Sequence, residues 1–119
     1  MFSDLSTTQI NTMLSLQSAM NSKVDTNWVS AAYPYMRAVV IEAAEAMEHH
    51  GWKWWKKQHC DLPQLQMELV DIWHFLLSEV LLRDGGNLEK ASQTLLTHLK
   101  EDSCTHLSVD GLVHDLTEL

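Results

Sequence analysis

The sequence contains few of the residues that build disulfide-bonded, loop-rich or β-rich proteins. Its 119 residues include two cysteines, two prolines and four glycines. Cys60 and Cys104 form neither a C-x-x-C pair nor a disulfide framework, so a reducing, cytoplasmic location is expected. The scarcity of glycine and proline disfavours an all-β fold with many tight turns.

Basic residues and long apolar runs are also scarce. Eight Lys and Arg stand against sixteen Asp and Glu, which gives a formal charge of −8. Such a chain is poorly suited to binding nucleic acid or an anionic membrane by bulk charge. The most apolar stretch, residues 69–82, is interrupted by Asp71, His74 and Glu79, so we predict no membrane span. The polar N-terminus lacks the features of a signal peptide.

Apolar residues recur every three to four positions along almost the whole chain, which predicts an all-α fold. We expect one domain, spanning residues 1–119, that forms an antiparallel bundle of four to five helices. The expected helices cover about 4–22, 31–49, 62–83 and 88–100, with a last short helix after Ser108.

Local signals support these helix ends. Pro34 is tolerated only in the first turn of a helix, which places the start of the second helix near Ser30. Gly51 can stop that helix. The expected N-caps are Ser3 or Ser6 for the first helix, Asp61 for the third and Asn87 for the fourth.

Four acidic residues form two pairs, each with a spacing of three, on the second and third predicted helices. They are Glu42 with Glu45, and Glu68 with Asp71. Both helices are apolar almost all round and should be largely buried, and neither offers a Lys or Arg at helical spacing in its central turns. Buried carboxylates that converge without a lysine favour a hard cation, Mg²⁺ or also Mn²⁺. The alternative is that these acids are exposed or pair with distant bases.

A tryptophan and lysine segment, residues 51–61, connects these two helices. It contains Trp52, Lys53, Trp54, Trp55, Lys56 and Lys57. Ammonium groups neutralise phosphate oxygens, and tryptophan offers a face on which a base can stack. The structural alternative is that Trp52 or Trp55 packs into the core and anchors the segment.

A di-iron site is the weaker metal hypothesis. Bundles that hold two irons use two Glu-x-x-His pairs, whereas this chain offers only Asp71-x-x-His74 as an approximation. His74 is then either a core histidine or a hydrogen-bond partner of a carboxylate. No arrangement in the sequence predicts a serine or cysteine nucleophile.

The chain resembles the all-α nucleoside triphosphate pyrophosphatases, the MazG-like superfamily, and within it the dimeric dUTPases. Glu42-x-x-Glu45 and Glu68-x-x-Asp71 resemble the metal motif of the superfamily. The segment Trp52-Lys53-Trp54-Trp55-Lys56 and the run Asp71-Ile72-Trp73-His74-Phe75 resemble the dUTPase branch. The similarity covers about residues 13–82.

This resemblance implies Mg²⁺-dependent hydrolysis of a nucleoside triphosphate, dUTP or another dNTP, to its monophosphate and pyrophosphate. It implies that Glu42, Glu45, Glu68 and Asp71 hold the metal. We expect Glu45, with Glu42 as the alternative, also to orient or deprotonate the attacking water. The implied residues near the phosphates are Lys53 and Lys56, and those that bind the nucleotide are Gln17, Asn21, Trp28, Trp52 and Trp55. It also implies a homodimer or homotetramer.

Residues 88–119 depart from the dUTPase pattern, since they contain no Asn-rich motif with basic residues that would complete the phosphate site. The chain is therefore either truncated or a compact relative with a different substrate. Two further hypotheses remain: a nucleotide-binding module without catalysis, and a helical interaction protein that docks a partner through its tryptophans.

Overall fold

The computed structural model describes residues 5–101, and within this range the chain forms five α-helices and no β-strand. They are α1 (Thr7–Val24), α2 (Trp28–Ala31), α3 (Tyr35–His50), α4 (Leu62–Arg83) and α5 (Leu88–Glu101). The predicted all-α fold is confirmed. No helix in this described range is long and apolar enough to cross a lipid bilayer. Ser3 and the helix expected after Ser108 lie outside the described residues.

Side chains cap three of the helices where the sequence predicts it. The Ser6 hydroxyl accepts the N–H of Gln9 at 3.1 Å, while the Gln9 side chain accepts the N–H of Ser6 at 2.9 Å, which completes a capping box at α1. Asp61 and Asn87 accept N–H groups in the first turns of α4 and α5. These bonds satisfy N–H groups that have no partner within their helices.

The expected start of the second long helix, near residue 31, is wrong. Residues Trp28–Ala31 form the separate short helix α2, which ends where Ala32 adopts a left-handed conformation with φ of 52°. The proline at position 34 disfavours helical dihedral angles at Tyr33 before it. Helix α3 therefore begins only at Tyr35, directly after Pro34.

The described chain divides into two compact units. The first unit comprises residues 5–35 and 76–101, and the second comprises residues 36–75. Each unit has its own set of buried apolar side chains.

In the first unit, α1 packs against α5 and α2. Its buried residues come from four helices: Ile10, Leu14, Trp28, Leu77, Leu81, Ala91 and Leu95. The Asn11 side-chain oxygen accepts a hydrogen bond from the Ser92 hydroxyl, which joins α1 to α5 inside this unit.

In the second unit, α3 and α4 lie antiparallel. The Asp61 N–H donates to the His49 carbonyl at 2.8 Å, and Ala46 clusters with Leu65. Residues toward the start of α3 therefore lie beside residues toward the end of α4, as the predicted antiparallel bundle requires.

The expectation that both acidic helices are largely buried is wrong for the described single chain. Val39, Ala43 and Ala46 are buried on one face of α3, but other apolar side chains of the two helices stay exposed. The exposed set is Val40, Ile41, Leu62, Met67, Leu69 and Val70. A helix that packs against one neighbour buries one stripe, so residues outside that stripe need a further neighbour to become buried.

Candidate metal and nucleotide site

Three carboxylates from α3 and α4 come together in the second unit. Glu42, Glu68 and Asp71 each offer an oxygen atom, and these atoms all lie within 4.8 Å of one another. Glu68 is buried, while Glu42 and Asp71 are half-buried. The antiparallel pairing of the two helices brings the acids together, since Glu68 and Asp71 share one face of α4 through their spacing of three.

The three carboxylates repel one another, as expected of a site that binds a cation. The pKa of Glu42 is raised to about 7, first through the hydrogen bond that its carboxyl shares with Glu68, and then through burial and the negative charges of Glu45, Glu68 and Asp71. Oε2 of Glu42 is buried and has no hydrogen-bond partner among the described residues. In the described part of the chain, no lysine or arginine pairs with these three carboxylates. Three converging carboxylates, one of which has a buried oxygen without a partner, fit a hard divalent ion.

Glu45 and His49 lie beside this cluster rather than within it. Glu45 is exposed and is not among the three converging carboxylates, although its charge raises the pKa of Glu42. Nδ1 of His49 lies 3.4 Å from Oε1 of Glu68. His49 is not among the predicted site residues, but its spacing of seven from Glu42 places both residues on the same face of α3.

The tryptophan and lysine segment is exposed, so the expectation that Trp52 or Trp55 packs into the core is wrong for the described chain. The exposed fractions are 37% for Trp52, 84% for Trp54 and 56% for Trp55. The three rings pack edge to face against one another, with centroid distances of 4.7 to 6.4 Å. They therefore form a cluster of their own on the surface.

Glu48, which sequence analysis overlooked, holds the start of this segment. Its Oε1 accepts the indole N–H of Trp52 at 3.1 Å, and its Oε2 lies 3.2 Å from Nζ of Lys53. The Trp52 hydrogen bond and the Lys53 ammonium hold the pKa of Glu48 below its usual value. A glutamate four residues before a tryptophan and five before a lysine was the available signal. Lys56 is exposed.

The other predicted nucleotide-binding residues lie in the first unit. The Gln17 side-chain amide donates to Oδ1 of Asn21 at 2.9 Å, and the Asn21 amide donates to the Ser78 hydroxyl at 3.0 Å. Trp28 is buried and its indole N–H donates to the Ser22 hydroxyl at 3.3 Å. Gln17 and Asn21 thus belong to one hydrogen-bonded chain, whose member Ser78 was not identified from the sequence.

Comparisons with known proteins agree with the resemblance drawn from the motifs. Neither the curated proteins nor the solved structures provide a significant match. The family model for dUTPase, by contrast, matches residues 9–113, which is most of the chain and includes both acidic pairs. The chain therefore belongs to the all-α dUTPase family, as its acidic pairs and its tryptophan and lysine segment predict.

Proposed function

We propose that this protein is a Mg²⁺-dependent hydrolase that converts dUTP, or another deoxynucleoside triphosphate, to its monophosphate and pyrophosphate. At the family level a nucleoside triphosphate hydrolase that requires a divalent metal is supported. The observation that carries the proposal is the convergence of Glu42, Glu68 and Asp71, with a buried oxygen of Glu42 left without a partner.

The proposed metal ligands are Glu42, Glu68 and Asp71, joined by Glu45 from its exposed position on α3. Oxygen donors of this kind suit Mg²⁺, and Mn²⁺ is an alternative with the same donor preference. When bound, the ion would neutralise phosphate oxygens and lower the pKa of a water molecule.

Side chains of the protein accept the proton of the attacking water and neutralise the leaving group. Glu45, which is exposed, accepts a proton from the attacking water. A new phosphorus–oxygen bond then forms, the bond between the α- and β-phosphates breaks, and pyrophosphate leaves with the electron pair. Lys53 and Lys56 neutralise the charge on that leaving group.

For recognition of the nucleotide, we propose the amide pair Gln17 and Asn21 together with Trp28, Trp52 and Trp55. The amides of Gln17 and Asn21 combine donors and acceptors, as recognition of a base edge requires. The exposed rings of Trp52 and Trp55 offer stacking faces.

We further propose that two or more copies associate through the exposed apolar face of α3 and α4. Val40, Ile41 and Val70 are 52%, 55% and 49% exposed in the single chain. Large exposed apolar patches often mark protein–protein interfaces. A homodimer is the simplest closed assembly, and a homotetramer is the alternative that we propose.

The deciding experiment is a turnover assay with a panel of ribo- and deoxynucleoside triphosphates and Mg²⁺, with the products separated by chromatography. Hydrolysis of dUTP alone to dUMP and pyrophosphate is the expected result. Hydrolysis of several other triphosphates would replace the dUTPase assignment with a broader pyrophosphatase. Nucleotide binding without any turnover would favour a non-catalytic binding module. The separation of Glu45 from the other three carboxylates supports that alternative.

A further inference from the structure

His49 on α3 lies beside the buried carboxylate of Glu68 on α4. Its Nδ1 lies 3.4 Å from Oε1 of Glu68, whose side chain is only 9% exposed. Nδ1 itself is buried and makes no hydrogen bond among the described residues. Nδ1 of His49, which has no partner, therefore lies beside a buried carboxylate oxygen that could accept a hydrogen bond from it.

The backbone around His49 keeps this side chain next to α4. The His49 carbonyl accepts the N–H of Asp61, the N-cap residue of α4, at 2.8 Å. The Gly51 N–H donates to the Met47 carbonyl at 3.2 Å, which closes the last turn of α3. The histidine is thus held at the junction of the two helices that carry the acids, within one compact unit.

The negative charge of the carboxylate cluster favours a hydrogen-bond donor beside Glu68. Three carboxylates lie within 4.8 Å of one another, and in the described part of the chain no lysine or arginine pairs with them. Carboxylates in such a cluster repel one another, and a donor that bonds one oxygen fixes the orientation of the group. An N–H on Oε1 of Glu68 would leave Oε2 available to a cation.

We propose that His49 is a positioning residue of the metal site, which acts by donating its Nδ1–H to Oε1 of Glu68. This inference rests on the proposed function, because it assumes that Glu68 is a metal ligand. His49 touches neither metal nor nucleotide in this role. Hydrogen bonds that orient metal-binding carboxylates commonly change metal affinity by about 10- to 100-fold.

The test is direct binding of Mn²⁺ to the metal-free protein, measured from the electron paramagnetic resonance signal of the free ion. His49→Ala should weaken binding by about 10-fold or more. His49→Asn should keep it within about threefold of the original protein, because the asparagine amide places an N–H near the position of Nδ1. His49→Gln places its amide nearer to Nε2 and should not rescue binding. His50→Ala is the matched control, since His50 is the exposed neighbour.

The outcomes separate this inference from the proposed function. Equal Mn²⁺ affinity in the original protein and His49→Ala would overturn the role of His49 and leave the metal site intact. Failure of the original protein to bind Mn²⁺ would overturn the metal site and this inference together. Equal losses in His49→Asn and His49→Gln would also overturn the inference, because the position of the donor would then not matter.

The Mg²⁺ dependence of turnover is a second measurement, and it distinguishes a positioning role from a merely structural one. At saturating nucleotide, His49→Ala should need about 10-fold more Mg²⁺ for half-maximal rate. Its kcat at saturating Mg²⁺ should stay within about threefold of the original, because the ligands themselves are intact. A loss confined to kcat would contradict the positioning role. Thermal melting without metal checks that all variants fold.

Discussion

The carboxylates of Glu42 on α3 and Glu68 on α4 approach each other across the helix pair, and the proximity raises the pKa of Glu42 from 4.5 to about 7. The folded metal-free protein therefore holds a proton on Glu42 at pH values where the unfolded chain has lost it. Between about pH 4.5 and 7 the unfolded state binds fewer protons, so the free energy of unfolding falls as the pH rises.

Chemical denaturation of the metal-free protein at several pH values measures this dependence. Other groups titrate in the same range, so the comparison is with Glu42→Gln, which lacks the titrating carboxyl. The difference in stability between the two proteins should change across the window and level off above about pH 7. Identical pH profiles would contradict the raised pKa. The affinity for Mg²⁺ should rise through the same window, because the metal displaces the proton.

Neutralising one acid of the cluster should separate stability from function. Asp71→Asn keeps the shape of the side chain and relieves repulsion, so the metal-free melting temperature should be unchanged or higher by about 3 °C. The stabilisation by Mg²⁺ should disappear, because a ligand stabilises only the state that binds it. Turnover should fall by about 100-fold or more.

Glu89→Gln is the matched control for this variant, since Glu89 is an exposed acid in the first turn of α5. It removes the same charge without touching the cluster, and it should keep both the Mg²⁺ effect and turnover. An Asp71→Asn protein that still gained stability from Mg²⁺ would rule out Asp71 as a ligand.

Local chemistry explains which parts of the fold follow from the sequence. Asp61 caps α4, and Gly85 and Gly86 with positive φ values end it, so the expected helix after Asp61 to about 83 matches the structure. The start of α3 was misplaced because Pro34 fits the first turn of a helix as well as the position before it. The left-handed Ala32, which ends α2, could not be read from the sequence.

Residue spacing along α3 explains why the acidic site could be predicted only in part. A spacing of three turns the helix by 300°, so Glu45 lies 60° round α3 from Glu42, on its exposed side. A spacing of seven returns almost to the same direction, which brings His49 beside Glu68. Pair spacing alone predicts that residues share a broad face, but the contact with α4 selects a narrower stripe.

The hydrogen-bonded amides of α1 provide a test of nucleotide recognition. Asn21→Ala removes the acceptor of the Gln17 amide and the donor to Ser78. Losing a half-buried hydrogen-bond partner costs about 1–2 kcal/mol, which lowers the melting temperature by about 5–10 °C. If Asn21 also contacts the base, KM for dUTP should rise by about 10-fold.

Ser78→Ala distinguishes these two effects. It breaks the same chain at its other end and should cause a similar loss of stability, but it leaves the Asn21 amide in place. Its KM should stay close to that of the original protein. If both variants raised KM equally, the amide chain would be acting through structure and Asn21 would have no direct role in recognition.

Lys53 tests the role of the basic segment. Its ion pair with Glu48 is partly exposed, and such pairs contribute little to stability, so Lys53→Met should change the melting temperature by only a few degrees. Loss of a cation near the triphosphate should raise KM by about 10-fold and lower kcat. Lys57→Met, an exposed lysine of the same segment, is the control and should leave both kinetic constants unchanged. Equal effects of the two substitutions would indicate a diffuse charge effect instead.

The exposed apolar face of α3 and α4 yields a prediction about assembly. Val40→Asp places a charge on a side chain that is 52% exposed in the single chain, so a monomer should tolerate it. In an oligomer that buries this face, the unpaired charge would cost several kcal/mol and dissociate the copies. Light scattering after size-exclusion chromatography should report at least twice the mass of one chain for the original protein and a single chain for Val40→Asp. Glu89→Asp, on α5, should keep the original mass. An unchanged assembly in Val40→Asp would place the interface elsewhere.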